Sequence, residues 1–144
     1  MSNTVLILGD SLSAAYGIDP KLGWVELLKP QLPNANIING SISGETTSGG
    51  LKRLPILLEK HKPNLVVVEL GANDGLRGQP LSLLKSNLTT IVDLSQAINA
   101  KVLLLEMHVP TNYGRRYSER FNQTFHQIAN DKDITVAPFF LENV

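Results

Sequence analysis

Five short runs of branched apolar residues recur along the 144-residue chain, and amphipathic stretches separate them. The runs are Val5 to Leu8, Ile37 to Ile38 with their flanks, Leu65 to Leu70, Val102 to Met107, and a weaker one from Ile134 to Ala137 that ends at Pro138. They are continuous apolar segments, without the in/out alternation of a half-solvated strand, so both faces of the sheet they form are expected to be covered. Between them, side chains recur at helical spacing. Trp24, Leu27 and Leu28 share a face, with Leu32 one turn on. Leu51, Leu54, Leu57 and Leu58 form a second stripe, and Leu84, Leu88, Ile91, Val92 and Ser95 a third. Tyr117, Phe121, Phe125 and Ile128 form the last. Strand alternating with helix predicts a parallel sheet with helices on both sides. The length suits one domain over residues 1–144.

Open parallel sheets bind ligands beyond the C-terminal ends of their strands. The segments just past the predicted strands are therefore the ones to read for chemistry. They are Gly9-Asp10-Ser11-Leu12-Ser13, then Asn39-Gly40-Ser41-Ile42-Ser43-Gly44-Glu45-Thr46, then Gly71-Ala72-Asn73-Asp74-Gly75, then His108-Val109-Pro110-Thr111-Asn112-Tyr113-Gly114. All are small, polar and rich in glycine. Ser11 falls where a strand gives way to a turn, with its backbone N–H not yet claimed by a helix. A serine there attacks a carbonyl once a base takes its proton. The oxyanion that forms needs donors already in place. Three candidates are the Ser11 N–H, the Gly44 N–H, which no side chain obstructs, and the Asn73 amide. They converge only if the strands before them lie side by side. Each segment alone reads as a turn; jointly they point to a nucleophile with its oxyanion hole.

Other chemistries find less support. Lysines and arginines number 13, as do aspartates and glutamates, so no net positive charge calls for a nucleic-acid partner. The absence of cysteine excludes thiolate nucleophiles and cysteine metal sites. The longest apolar runs, "NLVVVEL" and "KVLLLEM", are too short to span a bilayer, and "MSNT" has no features of a signal peptide. "GETTSGG" has the outline of a phosphate loop, but Gly50 stands where lysine is needed. No GxGxxG follows the first run, which argues against a dinucleotide site. Asp10 and Asp74 read as hydrogen-bonding supports for their neighbours, not as metal ligands, and neither a metal nor a cofactor is expected. Lys52-Arg53 and Arg115-Arg116 read as solvated helix surface, and Trp24 as a packing residue.

The chain resembles the SGNH, or GDSL, hydrolases, and within them the bacterial thioesterase/lysophospholipase/arylesterase branch. "LGDSLSAAYG" resembles the family's first block, the glycine of "NGSISGETTSGGL" its second, and Gly-x-Asn-Asp in "VELGANDGLRG" its third. "VPTNYGRRY" is similar to the loop after the fourth strand of that branch. The likeness runs in order from residue 4 to about residue 142. It implies a flavodoxin-like three-layer α/β/α sandwich, its five-stranded parallel sheet in the order 2-1-3-4-5. It implies Ser11 as nucleophile, with the Ser11 N–H, the Gly44 N–H and the Asn73 amide as oxyanion hole. The loop from Gly71 to Gly78 is then expected to line the acyl site. Gly71, Ala72, Leu76, His108, Pro110 and Tyr113 are the substrate-binding candidates. The resemblance also implies small acyl ester or thioester substrates and a periplasmic or secreted location.

One block of the family is not found. Its base sits in an Asp-x-x-His after the fifth strand. The three histidines here are His61, His108 and His126, and the residues three before them are Leu58, Leu105 and Gln123. His61, beside Lys60 and Lys62, is expected to be solvated, and His126 to lie between the stripe residues of the last helix. His108 alone falls at the active edge. The chain ends at "PFFLENV", and the resemblance implies a further segment that carries the Asp/His pair and a final helix. The expectation is an esterase whose 144-residue chain is inactive or nearly so, and prone to dimerise or swap where the final helix would pack. The alternative is a non-catalytic, acyl-ligand-binding module of flavodoxin-like fold.

Overall fold

A computed structural model describes residues 3–10 and 34–138. Five parallel strands form one sheet: β1 (Asn3–Gly9), β2 (Ala35–Asn39), β3 (Leu65–Glu69), β4 (Lys101–Glu106) and β5 (Thr135–Pro138). Their order is β2-β1-β3-β4-β5, the flavodoxin-like order. The register sets Val5 beside Ile37 on one side and Leu65 on the other, and Val66 beside Val102. Each strand ends close to its sequence expectation. Leu70 and Met107 fall just past their strands, and β5 begins one residue after Ile134.

Four helices are described: α1 (Thr47–His61), α2 (Ala72–Leu76), α3 (Leu81–Ala97) and α4 (Arg115–Lys132). A turn of 3-10 helix covers Thr111–Tyr113. The stripes read from the sequence are the buried faces of the long helices. Leu54 and Leu58 are buried on α1, Leu84, Leu88, Ile91, Val92 and Ser95 on α3, and Phe121, Phe125 and Ile128 on α4. The stripe from Trp24 to Leu32 lies outside the described residues. The crossovers from β2 to β3, β4 and β5 all advance in one direction. Right-handed connections then place α1, α3 and α4 on one face, where they pack side by side against the sheet.

Both faces of β1 are buried. Leu6 and Leu8 approach the α1 side, near Gly40, Leu57 and Gly50. Val5 and Ile7 point the other way and are equally enclosed. This is why the strands read as unbroken apolar runs. No described helix is long and apolar enough to cross a membrane.

The ends of the helices explain the loops. Thr46 caps α1 by accepting the Gly49 N–H at 3.3 Å. Lys62 and Asp133 close α1 and α4 in the left-handed conformation. The short α2 was not expected: "GANDG" reads as a turn, and the structure winds it into one helical stretch with Gly71 at its start (φ 122°).

Candidate active site

The reversal of strand order puts β2, β1 and β3 next to one another, and with them the three loops read as motif blocks. Neighbouring strands lie about 5 Å apart, so the outer two loops are separated by only about 10 Å at their roots. The loop after β2 stays tied to β1: Gly40 N–H donates to the Ile7 carbonyl at 2.8 Å and Ile42 N–H to the Gly9 carbonyl at 3.1 Å. It then turns through Gly44, whose φ of 78° suits a residue without Cβ. The Gly44 carbonyl is 3.4 Å from the Arg77 guanidinium of the third loop.

Asn73 draws the loops together. Its Nδ2 donates to the Glu45 carbonyl at 3.0 Å and lies 3.4 Å from Asp10 Oδ2. One side-chain amide on the β3 loop thus reaches both the second loop and the end of β1. Asp10 is buried, and its backbone N–H faces Glu69 Oε1 at 3.3 Å. Ser11 lies outside the described residues.

Asp74 faces α1. Its two oxygens accept the Thr47 N–H at 2.8 Å and the Thr47 hydroxyl at 2.6 Å. The carboxylate thereby fixes the first turn of α1, where free N–H groups favour an anion. Its charge is also felt by Tyr117: burial, and then Asp74, push that phenol above its ordinary value. The Tyr117 hydroxyl donates to the Gln79 carbonyl at 2.8 Å and holds the far end of the third loop.

The glycines of this loop serve close packing. A Cβ on Gly71 would stand 2.9 Å from Phe125 Cζ. A Cβ on Gly75 would stand 2.3 Å from Val109 Cγ1 and 2.9 Å from Phe121 Cε2. Ala72 is partly buried against the core, whereas Leu76, Pro110 and Tyr113 are exposed.

His108 is exposed at the active edge, with Nε2 3.1 Å from Glu106 Oε1. His126, on α4, reaches the other oxygen of the same carboxylate at 3.1 Å. Asn122 completes the cluster with a 2.6 Å hydrogen bond to Glu106. Burial would raise the Glu106 pKa, but the Asn122 hydrogen bond and the charges of His126 and His108 hold it below the ordinary carboxylate value. Leu105, three residues before His108, is buried in the core.

One surface expectation is corrected. Arg53 is not solvated helix surface: it pairs with Glu45 at 2.7 Å and is only about a quarter exposed, 27%. Sequence reading also missed Glu69 and Glu106. Each is the single charge at the C-terminal end of an apolar strand, and that position was the available signal. Thr47, at the first position of α1, carried none beyond its cap.

With the geometry in view, comparison with known proteins is direct. A sequence profile of the GDSL-like lipase/acylhydrolase family matches residues 7–143. The chain belongs to that family. Among GDSL relatives, it is 47% identical to Esterase TesA of Pseudomonas aeruginosa, over 99% of this chain and 73% of TesA. It is 44% identical to thioesterase 1/protease 1/lysophospholipase L1 of Escherichia coli, over 99% of this chain and 69% of that protein. The crystal structure of the psychrotrophic esterase EstA from Pseudoalteromonas sp., inhibited by monoethylphosphonate, superposes with a TM-score of 0.93 at 49% identity. That match covers 99% of this chain and 80% of EstA. The GDSL chain described here shares the three-layer α/β/α fold of these hydrolases, and it is an SGNH/GDSL-type esterase.

Proposed function

We propose that the chain hydrolyses carboxylic esters and thioesters through an acyl-serine intermediate on Ser11. Ser11 Oγ attacks the acyl carbonyl carbon and gives its proton to a base. The N–H groups of Ser11 and Gly44 and Nδ2 of Asn73 hold the oxyanion that forms. Collapse of the tetrahedral intermediate expels the alcohol or thiol, which takes up the proton. Water then repeats the sequence on the acyl-serine and releases the acid.

The observation that carries this reading is the reach of Asn73, 3.0 Å to Glu45 O and 3.4 Å to Asp10 Oδ2. The residue before the proposed nucleophile and the residue after Gly44 meet at one amide. The contact to Asp10 is longer than a usual N–H···O hydrogen bond. It is the one an oxyanion would replace. The names of the relatives, esterase and thioesterase/lysophospholipase, support acyl esters, acyl thioesters and lysophospholipids as the substrate classes.

The polypeptide of residues 1–144 turns over slowly by itself, because none of its three histidines follows an aspartate by three residues. A serine hydrolase without part of its triad keeps only about 10³–10⁴-fold over water, from its oxyanion hole and binding. The test is hydrolysis of p-nitrophenyl butyrate by the purified chain and its Ser11→Ala variant, with fluorophosphonate labelling alongside. Weak turnover and labelling, both lost in Ser11→Ala, are expected. Binding of acyl ligands with no labelling would favour a non-catalytic acyl-binding module. Turnover typical of an intact esterase would mean that a base acts within these residues.

A further inference from the structure

Asn87 lies on α3, outside every motif block, and is buried. Its Nδ2 donates to the Thr47 hydroxyl at 3.1 Å and to the Ser48 hydroxyl at 2.8 Å. Thr47 passes the chain of donors on, its own hydroxyl donating to Asp74 Oδ2 at 2.6 Å. A hydroxyl has one proton to give. With an amide N–H aimed at Thr47 Oγ1, that proton is committed to Asp74. Turned over, the Asn87 amide would present its oxygen instead, and two acceptors would compete for one proton. One short contact would then be oxygen against oxygen, without a hydrogen between. The assignment of the amide follows from the network it sits in. The order is amide to hydroxyl to carboxylate, in a buried setting where such bonds reinforce one another.

The relay spans two loops that the proposed chemistry needs in register. Thr47 stands three residues after Gly44, and Asp74 directly follows Asn73. A helix from elsewhere in the chain braces the join. Local sequence cannot do this job, because Asn87 is 40 residues from Thr47.

We propose that Asn87 is a positioning residue: by orienting the Thr47 hydroxyl toward Asp74, it sets the spacing between the Gly44 turn and the Asn73 amide. The proposal rests on the acyl-serine reading for its catalytic meaning. Asn87 itself touches no substrate.

The test compares the intact 144-residue chain with Asn87→Ala and Asn87→Asp at about pH 8. Asp has nearly the shape of Asn, but ionised it accepts where Asn donates. Amide hydrogen exchange, followed by NMR, is expected to quicken about tenfold at residues 44–47 and 73–75 in the alanine variant, the scale of one lost hydrogen bond. In the aspartate variant it quickens at least as much. Leu88 to Val92 on α3 keep their parental rates. An aspartate variant that matches the parent would overturn the proposal, since size alone would then suffice. So would quickening spread evenly along α3, the mark of a merely structural residue. Turnover of p-nitrophenyl butyrate by both variants is expected to fall in kcat with KM unchanged. Unchanged kcat in variants whose loops have loosened would also overturn it. If the parent chain shows neither turnover nor Ser11 labelling, the acyl-serine reading fails, and the exchange pattern still decides whether Asn87 orders the two loops.

Discussion

The side-chain amide of Asn73 donates to the backbone carbonyl of Glu45 at 3.0 Å, so the β3 loop holds the β2 loop through the same group proposed to hold an oxyanion. Removing that amide would take away a donor and a brace together. In Asn73→Ala, the rate of Ser11 labelling by a fluorophosphonate should fall about 10²–10³-fold, as expected for loss of one oxyanion donor. An unchanged rate would remove Asn73 from the site.

Asp74 is the anchor of the first turn of α1. Its carboxylate accepts two Thr47 hydrogen bonds at 2.8 and 2.6 Å. In Asp74→Asn one acceptor becomes a donor, and the Thr47 hydroxyl loses the acceptor for its proton. Hydrogen bonds to a charged group contribute about 1.5–3 kcal/mol, so the variant should lose about 2 kcal/mol. For a chain of this size that lowers the melting temperature by roughly 6 °C, measurable by calorimetry. A fall of under a degree would show that the pair contributes little.

Two glycines of the site should respond to alanine for different reasons. A Cβ on Gly75 meets Val109 and Phe121 at 2.3 and 2.9 Å, so Gly75→Ala overpacks the core and should cost about 1–3 kcal/mol. At Gly44 nothing lies within 4 Å of the added carbon, but φ is 78°. There the penalty is backbone strain of about 1–2 kcal/mol. Denaturant unfolding gives both values. Shrinking Val109 to alanine alongside should rescue Gly75→Ala in part, since the Phe121 contact stays, and leave Gly44→Ala as it was.

Acid should expose the role of Glu106. Its carboxyl is held below the ordinary value of 4.5 in the folded chain. A depressed carboxylate stabilises the fold above its unfolded pKa, and that contribution is lost as pH falls through the folded one. The parent should therefore be more stable than Glu106→Gln near neutrality, with the gap closing below about pH 4.5. Chemical denaturation across that range measures the gap. A gap independent of pH would mean that Glu106 acts by packing alone.

Strand positions and helix faces were legible because each side chain answers to one requirement, burial at period 3.6 or in an unbroken run. The 2-1-3-4-5 order came from the resemblance, and the structure has it. Gly44, Asn73, Asp10 and Asp74 were legible as strand-end residues, and the first two meet through Glu45. The parts that were not legible depend on partners far away in sequence. Arg53 looks solvated until Glu45 is folded over it, and nothing local in the sequence pairs His126 with Glu106 of β4. Asn87 differs from any helical asparagine only in what it faces. Ser11, on which the chemistry turns, lies outside the described residues.

The backbone that carries Asn73 rests on aromatic rings of α4: Gly71 lies over Phe125 and Gly75 over Phe121. Those rings also touch each other edge to face, with centroids 5.4 Å apart. A screen for impaired turnover should thus return hits at positions 121 and 125, inside a helix that holds no candidate reactive group. The floor under the Asn73 amide is hydrocarbon, and its thickness sets how high that amide stands.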